Sequence, residues 1–273
     1  MRSTDEPLVE HLSSYFRAFA GERIVVAYSG GGDSTALLAG IVFVRERHDL
    51  SVTAAHFDHG LQPEVHRRHE RDTVVAVCEA LSVELRTGSA PAGEIEAEAG
   101  DFGCGIEAAA RQRRYAFLSD VAASVGATLL ATAHHRDDQV ETVLLRVLQG
   151  ATISGLGGIP ERRQFEPGVT LIRPMLDVPK ATIESFLRRC RLPWCEDPSN
   201  ESDRFARNRV RKLILPEIRA AFPAAETAIA RFARRNAGAA AFIAREAQSR
   251  IPWERRAGGY VVDADRFWSA DPV

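Results

Sequence analysis

Cysteine is scarce in this 273-residue chain and poorly spaced for metals or cross-links. Cys78, Cys104, Cys190 and Cys195 are the only four, and no two form a CxxC pair. That number is too small for a disulfide scaffold, and the spacing speaks against zinc, so reduced thiols are expected. Long apolar runs are also missing. None approaches the ~20 residues a bilayer span needs, and the opening MRSTDEPLVE is polar and acidic, without a signal peptide's apolar centre. There is no internal repeat and no low-complexity tract. The expectation is a cytoplasmic protein with no membrane partner. Its composition, 45% hydrophobic and 26% charged, is that of a folded globular chain.

Net charge is only −2, but it is unevenly spread. Residues 204–256 hold thirteen arginines and lysines against four acids, a net of +9, which leaves −11 for the remainder. One basic end suits a polyanionic partner, and equally suits a solvated arginine-rich helical surface.

Apolar runs and helical patterns alternate through the first two-thirds. Strands are expected at 24–28, 51–57, 83–87 and 127–133, and helices at 35–46, 64–80, 105–124, 137–150 and 180–190. The strands are short and lack polar alternation, which fits a parallel, doubly wound α/β sheet covered by helices on both faces. Residues 88–105 and 150–168 read as loops, and 196–200 as a turn. A basic helix is expected over 204–215, and a long helix over 223–250. At 258–267 a strand-like segment reads as the start of something new. The domain reading is a catalytic α/β domain at 1–215, then at 216–273 a helical linker and the beginning of a small C-terminal domain, either truncated or minimal.

The most specific motif follows the first strand. Ser29, Gly30, Gly31, Gly32, Asp33 and Ser34 lie where a strand turns into a helix. Glycines there let backbone N–H groups converge, and the helix N-terminus adds partial positive charge, so the loop reads as a phosphate cradle. No lysine follows the glycines, which excludes a Walker A loop, and the GxGxxG spacing of dinucleotide folds is absent. Asp33 is placed to hold Mg²⁺ on the phosphates. The plainer alternative is a glycine turn with Asp33 as a helix cap.

Asp137 and Asp138 follow the fourth strand, beside His134 and His135. Asp138 and Glu141 are three apart on a helix and share a face, suited to Mg²⁺ or to the ammonium groups of a cationic substrate. A capping box has the same spacing. Arg111 and Arg114 share a face beside Tyr115, for phosphate, for a substrate carboxylate, or as a solvated edge. Arg204, Arg207, Asn208 and Arg211 fall at i, i+3, i+4 and i+7, a stripe that suits RNA phosphates or a salt-bridged surface.

These segments together resemble a known family. The loop 29–34 looks like the SGGxDS loop of N-type ATP pyrophosphatases. His56, Phe57, Asp58 and His59, with Gly60-Leu61, resemble the second strand end of tRNA(Ile)-lysidine synthetases. The helix EAAARQRRY at 107–115 is similar to their E-x-x-A-R-x-x-R-Y helix, TAHHRDDQVET at 132–142 matches their HHxDDQxET signature, and DPSNESDRFARNRVR at 197–211 matches their DPSN…RNxxR block. The resemblance covers residues 20–220 in order. It implies an enzyme that uses ATP and Mg²⁺ to adenylylate C2 of the wobble cytidine in a CAU-anticodon isoleucine tRNA. The ε-amine of L-lysine then displaces AMP. On that basis ATP falls to 29–34 and His56–His59. Asp33, Arg111, Arg114, Asp138 and Glu141 are the catalytic candidates, and His134, His135, Asp137, Asn200, Arg204, Arg207, Asn208 and Arg211 the substrate or tRNA contacts. Family members commonly continue into C-terminal domains, and a homodimer is compatible with the resemblance. The alternatives are a related tRNA thiolase, for which a CxxC pair is wanting, a small-molecule synthetase without a visible glutaminase, and a non-catalytic ATP- or RNA-binding module.

Overall fold

The computed structural model describes residues 6–101, 103, 105–196, 206–251, 253–256 and 259–269. In chain order the elements begin with α1 (Pro7–Phe16), β1 (Arg23–Ala27), α2 (Gly32–Arg45), β2 (Ser51–Asp58), α3 (Glu64–Leu81), β3 (Glu84–Ser89), α4 (Glu94–Asp101), α5 (Ile106–Val125) and β4 (Leu129–Ala131). Then come α6 (Arg136–Leu148), α7 (Ile153–Leu156), β5 (Arg162–Glu166), β6 (Val169–Ile172) and α8 (Lys180–Cys190). The last are α9 (Ala206–Arg209), α10 (Leu215–Ala221), α11 (Ala225–Arg250), β7 (Glu254–Arg256), β8 (Gly259–Val261) and α12 (Ala264–Ser269). Two compact units divide the chain: Met1–Asp138 with Glu161–Ser202, and Gln139–Pro160 with Asp203–Val273.

The first unit is built on a six-stranded sheet ordered β3-β2-β1-β4-β6-β5. All neighbours are parallel except β5, which runs antiparallel to β6. From β1 the chain steps outward to β2 and β3, then crosses to β4 on the other side of β1. The strand order therefore reverses beside β1, and open α/β sheets bind ligands outside the strand ends at such a point. Because β1 and β4 are in register, Ile24 to Leu129 and Val26 to Ala131, the segments leaving them emerge side by side.

Alternation along β1 feeds two cores. Ile24 and Val26 bury against α2, α3 and α8 with Leu37, Leu38, Ile41, Val77 and Phe186. Val25 faces the other way, onto Leu118, Val121 and Ala122 of α5. The doubly wound expectation holds, with helices on both faces.

Several elements depart from the sequence reading: α7 falls in the expected 150–168 loop, β6 is unassigned from the sequence, and α4, β5 and α1 have a physical reason on view. α4 lies within the expected 88–105 loop. Its short amphipathic pattern is completed from outside, because Ile95 and Ala99 bury against Ala109 and Ala110 of α5, and Arg113 clamps Glu98 with bonds of 2.7 and 2.8 Å. Likewise β5 extends into the expected 150–168 loop, joined to β6 through a turn in which Gly168 takes a φ of +81°. α1, unassigned from the sequence, buries Leu8, Leu12 and Phe16.

In the second unit Val140, Leu144 and Leu145 of α6 pack with Val210, Leu215 and Ile229. The basic helix expected over 204–215 is described from Ala206 and is not uniform: Val210–Ile214 form a π-helical turn between α9 and α10. The Leu215 N–H bonds Val210 O, five residues back, immediately before Pro216, which has no N–H to continue the ladder. The long helix is present as α11. The strand expected at 258–267 is narrower: β8 pairs antiparallel with β7, and α12 follows.

Gly40, inside α2, generates a stability prediction. A helical Gly→Ala change ordinarily gains about 0.5–1 kcal/mol. Here a Cβ would stand 2.4 Å from Leu12 Cδ1, with Leu8 and Leu12 fully buried, and overpacking costs about 1–3 kcal/mol. Gly40→Ala is therefore expected to destabilise by about 1–2 kcal/mol in urea unfolding. A gain in stability would contradict the close α1–α2 packing.

Candidate functional site

The loop 28–31 leaves β1, bends at Gly30 and enters α2 from an extended Gly31. Gly30 adopts φ +78°, and a Cβ there would meet Val74 Cγ2 at 3.1 Å, so both conformation and space call for glycine. The Gly31 carbonyl accepts from Thr35 N at 2.9 Å, Ser34 Oγ at 2.9 Å and Thr35 Oγ1 at 3.0 Å. Ser29 Oγ lies 3.0 Å from Ser34 Oγ. On its far side the loop is held by Cys195 N, which donates to Gly30 O at 2.9 Å. The loop is thus anchored through its carbonyls. The first-turn N–H groups of α2, which no helix can satisfy internally, are left to face an anion.

Asp33, in that first turn, bonds Lys180 Nζ, and its other oxygen lies 3.5 Å from His135 Nε2. Burial raises its pKa, but His135 and Lys180 outweigh that and hold the carboxyl near 2. His135 is buried, which alone would lower its pKa, yet Asp33 and Asp138 leave it raised. Asp138 Oδ2 accepts from the His135 N–H at 2.9 Å, and Asp137 Oδ1 from the Lys180 N–H at 3.1 Å. Asp138 thus reaches back over the first turn of α6, as in a capping box, one turn earlier than the Asp138–Glu141 spacing suggests. His134 Nδ1 meets Thr132 Oγ1 at 3.0 Å.

Lys180 was not among the sequence candidates, though a signal existed. It is the first residue of α8, after Pro179, where the helix dipole disfavours a cation unless an anion faces it.

The end of β2 makes a second wall. Asp58 is buried and accepts from Arg67 Nε at 2.9 Å, Arg71 Nη1 at 3.1 Å and the Gly60 N–H at 2.9 Å. Burial raises its pKa, but Arg67, the Gly60 N–H and Arg71 together outweigh that and leave it lowered. Asp58 thus fixes the wall. His56 is buried beneath, with Nδ1 3.1 Å from Tyr28 O, and burial lowers its pKa. Phe57 packs edge-on to His59, ring centres 5.1 Å apart.

Between the loop and this wall is a cleft of about 320 Å³, lined by Ser29, Gly31, Phe57, His59, Arg67 and Arg114 among others. The two arginine candidates separate here. Arg114 lines the cleft, while exposed Arg111 lies over Tyr115, 4.7 Å from the ring centre. The 320 Å³ is the size of a small-molecule site: a glycine loop aimed at an anion, aromatic and apolar walls, and cations at the rim.

In the second unit Glu141 is 1% exposed and carries two arginines. Arg207 Nε bonds it at 2.7 Å, and Arg211 bonds it at 2.6 and 3.1 Å. The two described guanidiniums of the expected stripe therefore engage an acid, and Asn208 is buried. Asn200 and Arg204 lie outside the described residues.

Residues 4–218 match the PP-loop domain. The chain belongs to the PP-loop family. Among relatives, it is 44% identical to a tRNA(Ile)-lysidine synthase of Ralstonia nicotianae over 83% of this chain and 47% of that one. It is 39% identical to that of Nitratidesulfovibrio vulgaris over 73% of this chain and 55% of that one. The chain spans about half the length of these curated relatives. Among solved structures, a U34-tRNA thiolase from Methanococcus maripaludis superposes with a TM-score of 0.66 at 16% identity, covering 85% of this chain and 80% of that one. It shares the PP-loop fold. No described helix is long and apolar enough to cross a membrane.

Two expectations follow. The raised His135 pKa contributes stability fully present below the ordinary imidazole value and lost as pH rises through the raised one. Asp33's depressed value contributes stability present above the ordinary carboxylate range and lost as pH falls towards about 2. Asp33→Asn removes the bond that raises His135, so NMR titration of the imidazole should give a lower pKa than wild type. An unchanged value would detach His135 from Asp33. Arg211→Ala strips Glu141 of two of its three bonds and should cost about 1.5–3 kcal/mol, the range for hydrogen bonds to charged groups, in chemical denaturation. A cost below about 0.5 kcal/mol, the range of ordinary surface changes, would mean that Arg211 is held outward.

Proposed function

We propose that this chain carries the catalytic PP-loop part of a tRNA(Ile)-lysidine synthetase, acting in the cytoplasm. ATP would lie in the cleft with its phosphates on the loop 29–34 and its nucleoside against Phe57 and His59. The C2 oxygen of a wobble cytidine in isoleucine tRNA would attack the α-phosphate, forming the adenylylated base and releasing pyrophosphate. The ε-amine of lysine would then add at C2 and expel AMP. The observation that carries this reading is the convergence of Asp33, His135 and Lys180 beside a glycine loop whose sequence relatives are lysidine synthases.

Each residue has a task in that scheme. Lys180 and the α2 amides would neutralise phosphate charge, and His135, with its raised pKa, would add a proton donor beside Asp33. Asp33, kept ionised, is the residue fit to hold Mg²⁺ that arrives with the phosphates, with Lys180 as the cation it exchanges; the ion would supply charge neutralisation there. Arg114 would orient the splayed base at the cleft rim. Asp138 and Glu141 remain the anionic candidates for the lysine amine, with Arg207 and Arg211 holding the Glu141 carboxylate in place.

The test is incorporation of radiolabelled lysine into isoleucine tRNA transcripts with a CAU anticodon. Label is expected to require ATP and that anticodon. Labelling that proceeds without ATP, or labelling of any transcript regardless of anticodon, would overturn the reading. Lys180→Met should raise the KM for ATP roughly ten- to hundredfold, the worth of a charge-assisted contact, and leave the KM for lysine within a fewfold. Equal effects on both would place Lys180 at a shared element instead.

A further inference from the structure

Beside the cleft, a group of arginines surrounds one aromatic ring. Arg111, Arg114 and Arg163 place their guanidinium carbons 4.7, 5.6 and 5.6 Å from the centre of Tyr115. Phe165 packs on the same ring at 5.5 Å. Buried Arg173 lies below, its pKa brought down to about 10 by burial, with Arg163 and Arg111 adding to the drop. Among the described residues, Arg111, Arg114 and Arg163 have no carboxylate partner within ion-pair distance, and Arg111 and Arg163 are exposed. Arg111 donates to Tyr115 OH at 3.1 Å, and Arg163 to Gln164 O at 3.3 Å. Burial, with Arg111 adding, lowers the pKa of Arg114.

Like charges so close repel unless an anion is brought to them. The flat ring, forked donors and uncompensated charge are what a single-stranded nucleic acid requires: phosphates for the arginines, and a face for a base. Position adds direction. Arg114 lines the cleft, while Arg163 stands on β5, the antiparallel edge strand, so the group runs from the cleft to the sheet edge.

We propose that Arg163, with Arg111 and the Tyr115 face, binds the RNA backbone next to the nucleotide held in the cleft. The group lies outside the basic 204–256 segment, in the remainder of the chain whose net charge is −11, so charge counting along the chain points away from it. This inference rests on the RNA-modifying reading and names the surface that the anticodon loop would follow.

The test is fluorescence anisotropy of an anticodon stem-loop RNA titrated with full-length protein at several salt concentrations. Arg163→Ala should weaken binding about three- to tenfold and flatten the slope of log affinity against log salt by about 0.7–0.9, the change expected when one phosphate is no longer neutralised. Arg163→Glu should weaken it further, and Arg163→Lys should keep the slope. The KM for ATP and the melting temperature should not move, because Arg163 is exposed and outside the cleft. An Arg163→Ala protein with wild-type RNA affinity and salt slope overturns the inference, as does a polyglutamate peptide that binds with the same dependence on Arg163. Lysine incorporation measured alongside separates the two readings. Lysidine made with no Arg163 dependence of RNA binding sinks only the surface. RNA bound through Arg163 with no lysine incorporated sinks only the proposed reaction.

Discussion

Everything at the candidate site depends on the Asp33 carboxylate being ionised at a helix N-terminus that also has to receive an anion. A lone carboxylate there would be favoured by the helix dipole and would repel phosphate. Lys180 and His135 resolve that conflict. They come from different parts of the chain, α8 and the segment after β4, and meet Asp33 because β4 lies parallel and adjacent to β1. The strand order, not any local motif, makes the cluster.

The same logic of opposed charge recurs within each unit. Asp58 is buried and tolerable only because Arg67 and Arg71 converge on it, and the bonds hold the end of β2 rigid. Glu141 is buried and tolerable only because Arg207 and Arg211 do the same within the second unit. Buried carboxylates with paired guanidiniums add little net stability but fix side-chain positions.

Much of this was legible in the sequence. The parallel sheet, the order of strands and helices, and the glycine loop followed from apolar runs and from where Ser29–Ser34 falls between strand and helix. The elements that escaped share a physical cause. α4 is stabilised by Arg113 and by α5, β5 by pairing with β6, and α1 by burial against α2. Each owes its form to contacts distant in sequence, which periodicity cannot register. Among site residues, Asp33 reads as a neighbour of phosphate and His135 as a substrate or tRNA contact, whereas Lys180 stands alone in its segment and carries no motif. Arg207 and Arg211 read as a phosphate-facing stripe because an ideal helix was assumed. Both bond Glu141, a partner 66 and 70 residues away that the spacing along one helix cannot register.

The central claim is that the cleft activates the RNA base, not the amino acid. Pyrophosphate and AMP release, followed separately with ATP, transcript and lysine added in every combination, tests it most directly. The account predicts that pyrophosphate release requires the CAU-anticodon transcript but not lysine, and that AMP appears only when lysine is added. Pyrophosphate release that requires lysine and proceeds without RNA would show that the amino acid is the group adenylylated, and would contradict the account.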